Sequence, residues 1–303
     1  MERRMNEYAE LQSEIARQEA QIEELEQLAQ EKRDEIQRIT QEYETTASDL
    51  KAGIHYAERI QRAVIPTDTE FKALFGDCFV YFVPRDIVSG DFYTYAASSD
   101  CKIAVVADCT GHGVPGGLLS MLGLSALKDL LSENVISMDL NPGEILDSLR
   151  KFVLTSLAES DESDGTTVRD GMDFTLCIFD NGMTHMRFAT ANHTIYVARN
   201  GEIIKLKGSR TPIGRHPKQD EPFESFTFDL QPDDMVYLCS DGIQDQFGGA
   251  DDVKFTTRRL AEMLLDQSVN DTRTQLANIS KIVDDWQAGR MQYDDQTLIG
   301  IRI

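Results

Sequence analysis

The stretch VSGDFYTYAASSDCKIAVVADCTGHGVPGG, residues 88–117, decides how the rest of the chain is read. It carries two carboxylates, Asp91 and Asp108, each where an apolar, strand-like run meets a turn. CKIAVVAD is nearly continuous in apolar residues and stops at Asp108, the way a buried strand delivers a charge to the rim of a sheet. A glycine-rich turn follows, and then LLSMLGLSALKDLL, which reads as a helix. A carboxylate buried without a partner is costly, so an Asp in this setting calls for a cation or a hydrogen-bond donor. Taken singly, each Asp is equally well explained as a cap on a turn or on the next helix.

The far end of the chain repeats the pattern. MVYLCSDGI is an apolar run closing on Asp241 and Gly242, and RMQYDDQTLIGIRI sets Asp294 and Asp295 before the last apolar run. Asp residues at several strand ends, far apart in sequence, read as one cluster assembled by the fold. Oxygen ligands of this kind suit hard divalent cations such as Mg²⁺ and Mn²⁺. Cysteine and histidine show no zinc-site spacing.

VSGDFY, ADCTGHG, CSDGI and YDDQT, in that order, resemble the bacterial PPM-type (protein phosphatase 2C-like) serine/threonine phosphatases. Within them the likeness is to the sporulation and stress-response group that dephosphorylates anti-sigma-factor antagonists. It covers roughly 54–303, with lesser echoes in HYAERIQRAVIP, TANHTIYVARNGEI and TPIG. The resemblance implies an α+β fold, an α-β-β-α sandwich of two antiparallel sheets flanked by helices, with two Mn²⁺ or Mg²⁺ ions. It also implies roles. Asp108 would bridge the ions, the Cys109 carbonyl would complete one shell, Asp241 and Asp294 the other, and Asp91 would sit beside the first. A metal-activated water would attack the phosphoester directly, without a phospho-enzyme. Asp294 matches the first position of the family's Asp-Asp/Asn motif, whereas Asp295 is expected to bond a turn. Arg85, six residues before Asp91, is a candidate for the substrate phosphate. Eukaryotic relatives carry a histidine two residues after the bridging Asp; here Thr110 stands there and His112 lies four on, so the proton donor stays unassigned. Asp173 opens a strand, which leaves an approach to the site open beside the favoured turn role, and His193, between strands, reads as a turn residue.

Bulk properties narrow the function. A net charge of −22 over 303 residues disfavours a nucleic-acid partner, because phosphate backbones are bound by basic surfaces. Five cysteines sit singly in or beside apolar runs, which reads as a reducing compartment. No signal peptide opens the chain and no apolar run approaches a bilayer-spanning length, so the expectation is a cytoplasmic polypeptide, free-standing or the cytosolic part of a larger sensor.

Residues 1–64 are charge-dense and free of proline. Every seventh residue from Tyr8 (Tyr8, Ile15, Ile22, Ala29, Ile36, Tyr43, Leu50, Ala57, Val64) is apolar, while the companion set mixes Leu11, Leu25, Ile39 and Ile60 with Gln18, Lys32, Thr46 and Gly53. This is a coiled-coil seam with one good and one imperfect position, most simply a parallel homodimer through residues 8–64. Fully helical, it would extend on the order of 85 Å. Gly53, costing roughly 1 kcal/mol in a helix, marks an expected hinge. The chain therefore divides into a coiled-coil, signal-transmitting helix over 1–53, a linker and regulatory switch helix over 54–75, and a phosphatase domain over 76–303. Downstream, apolar alternation predicts strands at CFVYFVP, DFYTYAA, MDFTLCIFD, MTHMRFAT, TIYVAR, EIIKL, FESFTFDL and MVYLCS. Helices are expected over 255–267 and 271–288, and ESDESDGTTVRDG reads as an acidic, mobile loop.

The function that follows is a metal-dependent phosphatase acting on phosphoserine or phosphothreonine of a STAS-type regulatory protein in a partner-switching pathway. The alternative is a catalytically silent phosphatase-fold platform regulated through the coiled coil.

Overall fold

The computed structural model describes all residues except 134–135 and 165–169, and the side chains of all of these except residues 2, 133 and 158–164. The chain forms two compact units, Met1–Ile54 and His55–Ile303. One helix, α1 (Glu2–Val64), supplies the whole of the first unit and the start of the second. It runs through Gly53 without a break in its helical assignment. Within the first unit the large seam residues are exposed, Ile15 at 53% and Leu50 at 65% among them, and Ala29 is half-buried.

Pro66 closes α1, and Thr67 opens α2 (Asp68–Phe75) with a capping box. The Thr67 hydroxyl accepts from Glu70 N–H, while the Glu70 carboxylate accepts from Thr67 N–H at 2.8 Å. Thereafter come β1 (Cys78–Val83), β2 (Phe92–Ala97), β3 (Cys101–Cys109), α3 (Gly113–Glu133), α4 (Pro142–Asp164), β4 (Gly171–Asp180), β5 (His185–Ala191), β6 (Thr194–Arg199) and β7 (Glu202–Lys207). The chain ends through β8 (Ile213–Gly214), β9 (Phe226–Asp229), β10 (Met235–Cys239), α5 (Gly242–Asp245), β11 (Phe247–Gly248), β12 (Val253–Lys254), α6 (Thr256–Gln267), α7 (Thr272–Gln287) and β13 (Gln296–Arg302). The Asn200-Gly201 turn between β6 and β7 has both residues at positive φ, as a two-residue hairpin needs.

Apart from the small β11-β12 ribbon, the strands make two antiparallel sheets, β1-β13-β10-β6-β7 and β2-β3-β4-β5-β9, with β8 added to β4. Helices α3 and α4 cover the second sheet through Leu124, Leu127, Leu146 and Leu149, and α6 and α7 cover the first through Leu260, Leu264, Ile279 and Val283. A third apolar layer, with Ala104, Val106, Cys177, Val236, Leu238 and Ile299, fills the space between the sheets. This is the α-β-β-α sandwich expected from the sequence.

Two expectations need correction. Gly113–Ser132 of α3 is long and apolar enough to cross a bilayer by length and composition, although no run was expected to approach that length. Half of that stretch is buried, and its apolar content serves the sheet it packs on. The acidic loop expected over 159–171 begins as helix, since α4 continues to Asp164. The mobility expected of it falls on 165–169, outside the described residues.

Candidate metal centre

Side chains alternate along a strand, so the residues that fill the inter-sheet layer fix the direction of their neighbours two positions away. Tyr93, Val106, Cys177, Leu238 and Ile299 all belong to that layer. Two residues before Tyr93 is Asp91; two after Val106 is Asp108; four before Cys177 is Asp173; two after Leu238 is Ser240; two before Ile299 is Thr297. The register puts these ends together, with Phe92 opposite Ala107, Asp108 opposite Asp173, and Cys239 opposite Leu298. The carboxylates therefore share one end of the sandwich, in the cleft where its two sheets meet.

Asp91 is 1% exposed. Its Oδ2 accepts a 2.6 Å hydrogen bond from the Thr297 hydroxyl, which ties β2 of one sheet to β13 of the other. Burial pushes its pKa up, the Thr297 and Ser240 hydroxyls pull it down, and Asp295 and Asp294 raise it again. Asp108 is raised well above the usual carboxylate range, by burial first and then by Asp91, Asp241, Asp294 and Asp173. Asp241 is raised by burial, then by Asp245 and Asp294, and shares a hydrogen bond with Asp108. It stands at the cap position of α5, yet its side chain caps nothing. Gly242 explains how Asp241 comes so near the 294–295 turn: a Cβ there would lie 1.9 Å from the Asp295 carbonyl oxygen.

Asp295 has a different task. Its two carboxylate oxygens accept from Arg85 N–H and Gly90 N–H, both at 2.7 Å, so it holds the loop that presents Asp91. Gly90 presses so closely on the Asp108 turn that a Cβ would meet the Gly111 oxygen at 2.5 Å and the Cys109 oxygen at 3.2 Å. The Arg85 guanidinium makes no hydrogen bond or ion pair among the described residues, while His112 Nδ1 sits 2.7 Å from Asp86 Oδ2 and links two loops.

Two residues read as turn residues belong to this end of the fold. Asp173 lies inside β4, opposite Asp108, and accepts from Asn192 Nδ2 at 2.9 Å; burial raises its pKa to about 6. His193 is buried, with Nδ1 3.1 Å from the Thr175 hydroxyl and Nε2 unpartnered. Burial lowers its pKa to about 3. Counting strand parity back from Cys177 would have turned Asp173 inward; nothing in the sequence signals the His193 environment.

The donor set is oxygen-only, with Asp91 buried and Asp108, Asp241 and Asp294 half-buried. Lys254, which lowers the pKa of Asp241, is itself paired with Asp245 at 2.8 Å. That chemistry fits a hard divalent ion. Among the described residues, no three such side chains are gathered tightly enough to hold a metal ion as they stand. The backbone convergence supplies the site; closing a shell takes side-chain adjustment.

Residues 98–303 match the family described as Stage II sporulation protein E (SpoIIE). No curated protein sequence matches the chain. Among solved structures, the SiaA-PP2C domain of Pseudomonas aeruginosa has TM-score 0.75 and 30% identity, covering 85% of this chain and 98% of that one. The PP2C phosphatase domain of SpoIIE from Bacillus subtilis, with a fragment of its regulatory domain, gives 0.60 at 18% identity over 75% and 63%. The catalytic domain of the serine/threonine protein phosphatase PstP, in complex with two manganese ions, gives 0.51 at 15% over 74% and 96%. The last two likenesses are of fold alone.

Proposed function

The chain belongs to the SpoIIE family of PP2C-type phosphatases, and from that premise we propose that it is an Mn²⁺- or Mg²⁺-dependent phosphatase of phosphoserine and phosphothreonine in proteins. The observation that carries the reading is the meeting of Asp91, Asp108, Asp241 and Asp294 at one end of the sandwich, within electrostatic reach of one another. Two ions held there would lower the pKa of a water and neutralise the phosphoryl oxygens.

The chain's own residues prepare that chemistry. Asp108, Asp241, Asp294 and Asp91 act as ligands, with the Cys109 carbonyl beside them. Thr297 and Ser240 orient Asp91 by hydrogen bonds. Asp295 fixes the Arg85–Gly90 loop by two backbone contacts, which keeps Asp91 at its station and sets the backbone of Arg85. The unpaired Arg85 guanidinium binds the substrate phosphate. A silent platform would gain nothing from carboxylates buried at this cost.

The substrate is a phosphorylated STAS-domain protein, in keeping with the anti-sigma-antagonist phosphatases that the motifs resemble, and the output is partner switching. The chain works in the cytoplasm, where its five buried free thiols stay reduced, and it pairs with a second copy through residues 8–64. Mn²⁺-dependent hydrolysis of p-nitrophenyl phosphate tests the chemistry. Asp108→Asn is expected to remove at least about 99% of turnover, in line with losses for groups acting on developing charge, while circular dichroism stays unchanged. Substantial activity in that variant sinks the reading. Incubation with phosphorylated STAS-domain proteins from the same genome tests the substrate.

A further inference from the structure

The turn that follows Asp108 and the loop that leads to Asp91 are pressed together along one seam. Cys109 N–H donates to the Gly90 carbonyl at 3.4 Å. A Cβ on Gly90 would meet the Gly111 and Cys109 carbonyl oxygens at 2.5 and 3.2 Å, and Asp295 Oδ2 at 3.4 Å. His112 is the next residue of that turn, and Asp86 lies in that loop, directly after Arg85. The two meet at 2.7 Å, His112 Nδ1 to Asp86 Oδ2, and both side chains stay in water, 44% and 45% exposed. Gly113 closes on the same oxygen, since a Cβ there would lie 3.2 Å from Asp86 Oδ2. The ring is therefore tethered from two sides. Its own backbone ties it to the turn that carries Asp108 and the Cys109 carbonyl, and Asp86 ties it to the loop that carries Arg85 and Asp91. An ionised carboxylate only accepts, so Nδ1 carries the hydrogen of this pair. Nε2 makes no hydrogen bond among the described residues and is left for a substrate. His193, the other histidine at this end of the fold, is buried and held neutral.

We propose that His112 is the proton donor to the leaving oxygen of the phosphoester, with Asp86 as its positioning residue. The proposal rests on the phosphatase reading. A serine or threonine side chain departs as a strongly basic alkoxide unless a proton reaches Oγ as its bond to phosphorus breaks. The attacking water gives one proton to solvent and its oxygen bonds phosphorus. The P–Oγ bond breaks, Nε2 of the imidazolium passes its proton to Oγ, and the side chain leaves as a neutral alcohol. The ring, now neutral, regains its proton from solvent. A histidine whose second nitrogen is held by a carboxylate is oriented for this transfer.

Three esters test the assignment on the full chain with Mn²⁺: a phosphothreonine peptide, phenyl phosphate and p-nitrophenyl phosphate, whose leaving groups fall in basicity in that order. His112→Asn keeps a donor near the Nδ1 position for Asp86 and removes Nε2. Its kcat is expected to fall about hundredfold on the peptide, the scale of a lost general acid, less on phenyl phosphate, and only a few-fold on p-nitrophenyl phosphate. Asp86→Asn gives the same order with smaller losses, because the ring remains and only its orientation is loosened. The Mn²⁺ concentration for half-maximal turnover is expected to stay within about twofold in both variants, a sign that the carboxylates are undisturbed. Losses of equal size on all three esters overturn the proposal and leave the pair as a latch between two loops. Wild-type kcat on the peptide in His112→Asn overturns it as well. A wild-type chain that hydrolyses none of the three esters fails the phosphatase reading itself, whereas hydrolysis of all three with equal losses fails the assignment of His112 alone.

Discussion

His193 is held neutral inside the fold, with burial pushing its pKa from the ordinary 6.5 to about 3. Between those values the unfolded chain takes up a proton that the folded chain refuses. The residue therefore costs no stability above about pH 6.5, and an increasing amount as the pH falls towards its folded value, at ~1.4 kcal/mol per unit. His193→Gln removes that dependence. The difference in Tm between wild type and variant is expected to shift against the wild type by about 5 °C between about pH 8 and about pH 5. A constant difference across that range, read by differential scanning calorimetry with excess Mn²⁺ throughout, would refute the account. Such an environment was not legible from TANHT, because a histidine after a turn looks the same whether one nitrogen is satisfied or both. The four carboxylates were legible because each interrupts an apolar run at its end. Asp173 opens the strand MDFTLCIFD in the sequence, but at a strand start a turn role outweighs an approach to the site.

Element by element, the segment at the end of α1 matters most to the site. Gln61 is 4% exposed and spans three partners: its Oε1 accepts from Ser89 N–H at 3.0 Å, and its Nε2 donates to the Ser89 carbonyl at 2.6 Å and to Ser120 Oγ at 2.9 Å. Ser89 is two residues from Asp91, and its hydroxyl accepts from Asp91 N–H at 3.1 Å. The helix thus clamps the backbone that presents a proposed ligand. Gln61→Ala leaves the buried Ser89 N–H unpaired, at roughly 1–3 kcal/mol, while the Ser89 carbonyl keeps its bond from Ser120 Oγ. The Mn²⁺ concentration for half-maximal turnover is expected to rise about tenfold, with saturating kcat falling less; an unchanged metal titration would show the clamp to be structural only. Helix and strand positions were readable from periodicity, down to the Asn200-Gly201 hairpin. The short pieces, α5, β8, β11 and β12, span only two to four residues each, too few to show a period. The clamp was hidden for another reason, since a polar side chain on a charged helix reads as solvated.

At the scale of the whole molecule, local alternation announced two sheets but not their order. The edge strand β1 pairs with β13 from the other end of the domain, Cys78 opposite Ile301, and no local period encodes such a pairing. The apolar seven-residue repeat and the Gln61 clamp, by contrast, lie on one unbroken helix, Glu2–Val64. A continuous helix transmits rotation as well as position, which gives Gly53 a role other than that of a hinge. Inserting seven residues beside it returns the helix to within about 20° of its starting phase, whereas five residues rotate the two ends by about 140° relative to one another. If the seam sets the clamp, the five-residue insertion is expected to change Mn²⁺-dependent turnover several-fold and the seven-residue insertion to leave it near wild type. Both variants should keep the same sedimentation mass, because the seam upstream of the insertion is untouched. Equal turnover in the two variants would mean that the helical repeat does not set the clamp, and that the carboxylate end of the sandwich is set by its own sheets.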